Sequence, residues 1–184
     1  MKFKKMKNIF FISFLFLNAF TINKVTGQQQ KKVEIQIHNM KCIYSDDYGD
    51  NEELYGRIWA LNLKTYGTVD NALNYFKTKE ILKVGDGSGE VLGISRTSYI
   101  TLKKNQSHLW YDMSKELTVK PNDKIIVIGE LIDRDWDNAD DKLMSAGSVW
   151  YKVVDLAKLK GAAYQVDLSF RNKQSRVDMI LYVR

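Results

Sequence analysis

The feature that most constrains the fold is a short apolar run, residues 125–132, which leads directly into the acidic stretch 133–141. A short run rich in isoleucine and valine that follows a turn signal is typical of a β-strand buried on both faces. A strand that ends in carboxylates must either keep them hydrated or neutralise them with a cation. The acidic stretch contributes five such side chains: Asp133, Asp135, Asp137, Asp140 and Asp141.

About eight short segments rich in β-branched and aromatic residues predict an all-β fold, an antiparallel β-sandwich. The clearest, residues 32–38, alternates polar and apolar side chains. We expect it to pair with residues 55–63 as a hairpin, or to lie near them. Residues 163–170 and 177–183 should close the chain as a second hairpin. The other strands are predicted at 90–102, 115–119, 125–132 and 148–154.

Residues 64–90 interrupt this strand pattern and predict an irregular insertion. Within it, residues 69–76 form either a short helix with Asp70 at its N-terminal cap, or another irregular strand. Trp59 and Trp150 lie in strand segments and are expected in the core. Cys42 is the only cysteine, which excludes an internal disulfide and predicts a small buried group.

The first 27 residues have the pattern of a signal peptide: a lysine-rich start, an apolar core over residues 9–20, and small residues before Gln28. An uncleaved membrane anchor is the alternative. Removing this leader removes five lysines and no acids, so the formal charge falls from +6 to +1. A chain with so balanced a charge lacks the basic face of a nucleic-acid-binding protein. Residues 28–184 are predicted to form one domain, secreted, periplasmic or on the cell surface.

A second acidic segment precedes the 55–63 strand and contains Asp46, Asp47, Asp50, Glu52 and Glu53. Like charges at this density repel one another, and calcium offsets that cost because it takes six to eight oxygen ligands. The two segments therefore predict a calcium site, and two solvated loops are the alternative. An EF-hand is excluded, since Asn138 and Met144 stand where that loop needs glycine and glutamate.

The spacing of these acids resembles the C2 family of calcium-dependent phospholipid-binding β-sandwiches. Asp47 and Glu53 lie six residues apart, with Tyr55 two residues after the second acid. In the later loop the family pattern Asp-x-Asp, then a third aspartate six residues on, is matched by Asp133, Asp135 and Asp141. The chain departs from the family at Glu53, where aspartate is usual, at Leu54, where proline is usual, and in the length between the loops, which requires the insertion at 64–90.

The resemblance implies a metal site formed by Asp47, Glu53, Asp133, Asp135 and Asp141, and calcium-gated docking to a membrane. The weaker candidate ligands are Asp46, Asp50, Asp137 and Asp140. Tyr48, Arg134 and Trp136 lie at the loop tips, where an aromatic ring and a cation would meet lipid headgroups.

Other functions stay open at this point. The acidic loops could serve a calcium-dependent carbohydrate or protein adhesion module, an accessory component of a secreted lytic or toxin system, or a purely structural calcium site. A glycan-cleaving enzyme is less favoured, because clustered acids suit an ion better than a separated acid and base. His38 alternates with apolar residues and is interpreted as structural, so no catalytic residue is predicted.

Overall fold

Two antiparallel sheets pack face to face in the computed structural model, which describes residues 30–45, 51–78, 89–110, 113–134, 141–142, 150–159, 163–171 and 176–184. The strands are β1 (Lys31–Tyr44), β2 (Asn51–Asn62), β3 (Glu90–Ile94), β4 (Ile100–Lys103), β5 (Ser107–Leu109), β6 (Ser114–Val119), β7 (Lys124–Asp133), β8 (Asp141–Lys142), β9 (Trp150–Asp155), β10 (Tyr164–Arg171) and β11 (Arg176–Val183). Two helices follow β2, α1 (Leu63–Tyr66) and α2 (Val69–Thr78), and a 3-10 helix, Leu156–Lys158, follows β9.

Each sheet has four strand positions, and three of the edge positions are filled by two short strands in succession. The first sheet runs β10–β11–β1, and its last position is shared by β5 and β6. In the second sheet, β3 and β4 share one edge, β2 and β7 lie in the centre, and β9 and β8 share the other edge. The prediction of an all-β sandwich of about eight strands is confirmed.

The main core lies between the sheets and follows from the alternation read in the sequence. In β1 the side chains of Val33, Ile35 and Ile37 are buried, whereas the residues between them are half-buried or exposed. Val177, Met179, Leu181 and Val183 of β11 repeat this pattern. The two strands pair directly, with Ile35 opposite Val183 and Ile37 opposite Leu181. The closing hairpin of β10 and β11 is also confirmed, since Arg171 pairs with Arg176.

A second apolar cluster covers the outer face of the β2–β7 sheet. Helix α2 packs Ala72 and Phe76, which are one turn apart, against Trp59 of β2 and Ile126 and Ile128 of β7. This is why β7 is buried along both faces, as its continuous apolar run predicts. The predicted insertion at 64–90 therefore contains helix α2 and most of α1, and it ends at Glu90, the first residue of β3. Trp59 belongs to this outer cluster, and Trp150 is half-buried against the main core.

The N-terminal cap of α2 is Thr68 and not Asp70. The side-chain oxygen of Thr68 accepts a hydrogen bond from the backbone N–H of Asn71 at 3.2 Å, and its carbonyl accepts one from Ala72. Asp70 lies in the first turn instead, where its charge still complements the helix dipole. The cap is therefore two residues before the position that the sequence suggests, and the helix starts at Val69.

The predicted hairpin between β1 and β2 is wrong. β1 belongs to the first sheet and β2 to the second, where β2 pairs with β3, β4 and β7. β2 is buried on both faces from Leu54 to Leu61, so it takes a central position in the sheet that the helices cover. The chain therefore crosses between sheets after Tyr44, at the end of the sandwich where β2 begins and β7 ends. We call this end the loop end.

Neither helix among the described residues combines the length and the apolar content needed to cross a bilayer. The segment 1–29, which includes the predicted leader, lies outside the described residues. Cys42 is fully buried in β1, as expected for a small apolar group.

Candidate metal site

The strands that carry the two acidic loops lie side by side at the loop end. Leu54 of β2 is directly opposite Asp133 of β7. Beyond that pair, the backbone N–H of Glu53 donates to Oδ1 of Asp133 at 2.7 Å, and the N–H of Arg134 donates to the carbonyl of Glu53 at 2.9 Å. The first acidic segment therefore enters β2 where the second leaves β7.

Asp133 is buried, with 3% of its surface exposed. A carboxylate in such a position requires hydrogen-bond donors or a cation, because burial strongly disfavours an isolated charge. The Glu53 N–H supplies one donor and fixes the orientation of the carboxylate at the strand end. Asp133 is thus held in place by the sheet itself, before any loop residue is considered.

Glu53 carries a second carboxylate, on the strand next to that of Asp133. Its Oε2 atom is buried and has no hydrogen-bond partner among the residues that the structure describes. An acceptor in that position loses its hydration without compensation, at a cost of about 1–3 kcal/mol. A hard, oxygen-preferring cation such as calcium would compensate for this loss.

Asp141 brings a third predicted ligand to the same end. β8 pairs with the last residues of β7, and its Asp141 stands directly opposite Asp133. Three predicted ligand positions, Glu53, Asp133 and Asp141, therefore lie on three neighbouring strands. Only the backbone of Asp141 is described, so its placement follows from strand register.

Apart from Arg134, the remaining predicted residues fall outside the described part of the chain. Within the residues that are described, no group of three or more His, Cys, Asp or Glu side chains is arranged to hold a metal ion. The complete ligand set therefore stays a prediction. The predicted residues outside the described ranges are Asp46, Asp47, Asp50, Asp135, Asp137 and Asp140 of the metal set, and Tyr48 and Trp136 of the docking set.

Arg134 is half-buried and lies over an aromatic ring from a third segment. Its guanidinium carbon is 4.6 Å from the centroid of the Tyr99 ring, which precedes β4. Such a cation–π contact holds the start of the second acidic loop against the edge of the sheet. Sequence reasoning missed Tyr99, because nothing in its neighbourhood indicates which cation it meets.

Glu52 is a second residue whose role the sequence reasoning did not isolate. It belongs to the first acidic segment of the sequence, yet it lies inside β2 opposite Leu102 and is fully buried. The signal was available in the alternation, since Glu52 is two residues before the buried Leu54 and so shares its face. Glu52 therefore places a carboxyl group on the core side of the sheet, beneath the loop end.

The fold and this geometry define a class: an all-β sandwich with two acidic loops leaving one end from adjacent central strands. No family model matches the chain. No curated protein sequence matches it either.

Solved structures similar to the chain include a C2 domain of a plant extended synaptotagmin 1, at 11% identity and a TM-score of 0.40, over 82% of this chain and 92% of that one. Human GIVD cytosolic phospholipase A2 matches at 10% identity and a TM-score of 0.40, over 83% of this chain but only 16% of that one. A chain of the Cry23Aa1–Cry37Aa1 binary complex matches at 14% identity and a TM-score of 0.42, over 84% of this chain and 98% of that one. The assignment of the sandwich rests on strand pairing and not on these distant likenesses.

Proposed function

We propose that this protein is an exported calcium-binding β-sandwich that docks on a membrane surface through its loop end. The observation that carries the proposal is the junction of Glu53 and Asp133, where the backbone N–H of Glu53 donates to the Asp133 carboxylate and two separate acidic segments lie on adjacent strands. The role proposed is binding and not catalysis.

The physical reason for calcium is the number of carboxylates delivered to one place. The two segments hold ten acids in seventeen residues, and the strands that flank them are hydrogen-bonded neighbours. Calcium satisfies six to eight oxygen ligands at once and tolerates mixed carboxylate and carbonyl donors. Glu53, Asp133 and Asp141 would form the part of the site that the sheet positions, and Asp47 and Asp135 would complete it from the loops.

Docking would use the residues that flank the ion. Tyr48 and Trp136 are amphipathic aromatic residues of the kind that enter the interfacial region of a bilayer, and Arg134 supplies a cation beside them. Bound calcium would remove the repulsion between the acidic loops and the anionic oxygens of lipid headgroups. Residues 1–27 would direct the chain out of the cytoplasm. Calcium concentrations outside the cytoplasm are high enough to fill such a site.

A thermal unfolding scan of the chain from residue 28, with calcium and with chelator, tests the metal site. Binding to the folded state alone adds about 2.7 kcal/mol at a hundredfold excess over Kd. The variant Asp135→Asn/Asp141→Asn should lose the calcium shift and stay folded. Asp70→Asn/Asp167→Asn, which neutralises two exposed acids elsewhere, is the matched control. No shift in the wild type at millimolar calcium would overturn the proposal.

Co-sedimentation with lipid vesicles tests the docking step separately. The wild-type protein should pellet with vesicles in calcium and stay in solution with chelator. A calcium-induced thermal shift without vesicle binding would keep the metal site and refute membrane docking. A glycan-binding screen in calcium would then be the next measurement, because a carbohydrate adhesion module is the competing interpretation.

A further inference from the structure

The outer face of the first sheet ends in a row of cations at the loop end. Arg171 of β10 is directly opposite Arg176 of β11, which is directly opposite Tyr44 of β1. These residues face outward, because their neighbours Phe170 and Val177 are buried in the core. Tyr44 is 37% exposed. The row therefore places two guanidinium groups and a phenol ring on one accessible surface.

The two arginines differ in how their charge is balanced. The guanidinium of Arg176 donates to both carboxylate oxygens of Asp178, at 3.1 and 2.8 Å, and Ser169 donates to the same carboxylate at 2.7 Å. Arg171 is exposed, and it forms no ion pair with any residue that the structure describes. Like charges directly opposite each other in a sheet are destabilising. An anion bound between these two strands would relieve that repulsion.

Two further cations lie at the same end, on the turn that connects the two sheets. Lys103 ends β4 opposite Asn51, the first residue of β2. The turn after it is fixed to β1, since the N–H of Asn105 donates to the carbonyl of Cys42 at 2.9 Å. Lys103 and Lys104 are both exposed, and neither forms an ion pair within the described ranges. We call Lys103, Lys104, Arg171 and Arg176 the basic rim.

The arrangement of the four cations in the basic rim favours a flat anionic surface over a linear polyanion as the partner. Its members come from four strands or turns of both sheets, whose backbones pack about 10 Å apart. They therefore stand around the perimeter of one end and do not follow a groove along a face. A planar array of anions can contact such an arrangement at several points together, whereas a single extended polyanion follows a stripe of cations.

We propose that the basic rim binds the phosphate groups of anionic phospholipids in a bilayer. This inference rests on the proposed function. It adds the requirement that the membrane be anionic, and it names the residues that bind the charged headgroups. Charge complementarity carries the choice of partner: three of the four cations lack an ion-pair partner in the described structure. Each cation that reaches the surface of an anionic membrane strengthens binding about fivefold.

Co-sedimentation in millimolar calcium provides the test. Two kinds of vesicle are compared, one of phosphatidylcholine alone and one that also contains about 30% phosphatidylserine, which makes the membrane strongly anionic. The rim variant is Lys103→Gln/Lys104→Gln/Arg171→Gln. The control is Lys64→Gln/Lys77→Gln/Lys124→Gln, which removes the same charge from exposed positions away from the loop end. The rim variant should bind anionic vesicles about a hundredfold more weakly than wild type, and the control less than about threefold more weakly.

The outcomes separate this inference from the proposed function. Wild-type protein that binds neither vesicle type in calcium refutes both. Wild-type protein that binds both types equally, or rim and control variants that lose equal affinity for anionic vesicles, refutes the basic rim alone. Binding of the wild type to a sulfated polysaccharide that depends on the rim, with vesicle binding unchanged in the rim variant, would assign the rim to a linear polyanion and also refute it. Thermal unfolding of each variant checks that the sandwich is intact.

Discussion

The backbone N–H of Glu53 and the Oδ1 atom of Asp133 are 2.7 Å apart, and this hydrogen bond joins two acidic segments that are 80 residues apart in the chain. It extends the β2–β7 ladder by one rung in which a side chain replaces a carbonyl. The carboxylate of Asp133 therefore has two roles: it ends the strand pairing, and it stands in the predicted metal site.

Replacing Asp133 should separate those two roles. Asp133→Ala removes the acceptor and leaves the Glu53 N–H without its partner, which we expect to cost about 1–3 kcal/mol of unfolding free energy. Asp133→Asn keeps a carbonyl acceptor, so it should lose less stability in chelator while still losing the stabilisation by calcium. Urea unfolding with and without calcium measures both effects. Equal stability of the alanine variant and the wild type would contradict the structural role.

Gly56 should be the least replaceable glycine of the second sheet. Its φ of 143° is unfavourable for other residues, and an added Cβ would overlap the backbone carbonyl of Glu130 on β7. Because backbone cannot yield as a side chain can, Gly56→Ala should cost about 3 kcal/mol or more. Gly67→Ala is the control: its φ of 77° is also left-handed, but open space surrounds it, so about 1 kcal/mol is expected. Similar losses in both variants would refute the close approach.

Removing one partner of the buried ion pair under helix α2 should lower the unfolding free energy by more than the separation of the two charged groups suggests. The guanidinium of Arg57 lies 3.5 Å from Glu130, donates to the carbonyl of Phe76 at 3.1 Å, and lies over the Phe76 ring with its carbon 4.1 Å from the centroid. Burial lowers the pKa of Arg57, and the neighbouring Glu130 carboxylate opposes this shift. Arg57→Ala would leave Glu130 buried without this cation, and should cost about 3–5 kcal/mol.

The exposed pair of Lys32 and Glu116, at 2.8 Å, is the matched control for Arg57. Lys32→Ala should leave the unfolding free energy close to that of the wild type, because water screens both charges. Replacing both buried partners, as in Arg57→Met/Glu130→Met, should recover much of the loss. A double variant as unstable as Arg57→Ala would show that the contacts with Phe76 dominate.

Stability should fall in acid partly through Asp123, at the end of the sandwich opposite the loop end. The backbone N–H of Lys120 donates to its carboxylate at 2.8 Å and Asn62 donates at 2.9 Å, and the first of these is the main cause of a lowered pKa. A lowered pKa in the folded state contributes stability above the unfolded value of about 3.9, and that contribution is lost as the pH falls through the folded value.

The variant Asp123→Asn should therefore be less stable than wild type at neutral pH and lose less stability on acidification below about pH 4. Urea midpoints measured between pH 2 and 7, a range of about the width in which carboxylates titrate, record this difference. Asp167→Asn, at an exposed strand position, is the control and should follow the wild-type profile. Parallel profiles for wild type and Asp123→Asn would refute the assignment.

The sandwich could be predicted because the pattern of apolar residues in each strand indicates which face of the strand is buried. Ile35 and Ile37 alternate with polar residues, and Ile126 and Ile128 have apolar residues on both sides. The placement of β1 and β2 in different sheets could not be predicted. A short polar connection suits a hairpin and a crossing between sheets equally, and only the burial of Arg57 and Trp59 beneath helix α2 distinguishes them.

The candidate site was predictable to the same degree. Asp133 and Asp141 were named from their spacing, and strand register puts them opposite each other. The contact of Arg134 with Tyr99 was not predictable, because it joins segments whose sequences carry no sign of each other. The same holds for the row of Arg171, Arg176 and Tyr44, which exists only once three strands are aligned.

The divided edges of the two sheets have a consequence for how the protein behaves at high concentration. A long, regular edge strand is a template on which another chain can add a strand and begin to aggregate. Three edges of this sandwich consist of two short strands in succession. The strand register that an incoming chain could follow is therefore interrupted where one short strand ends and the next begins. β10 is the continuous edge that the structure describes, with Gln165, Asp167 and Arg171 on its outward face. If the protein self-associates by strand addition, the added strand should pair with β10.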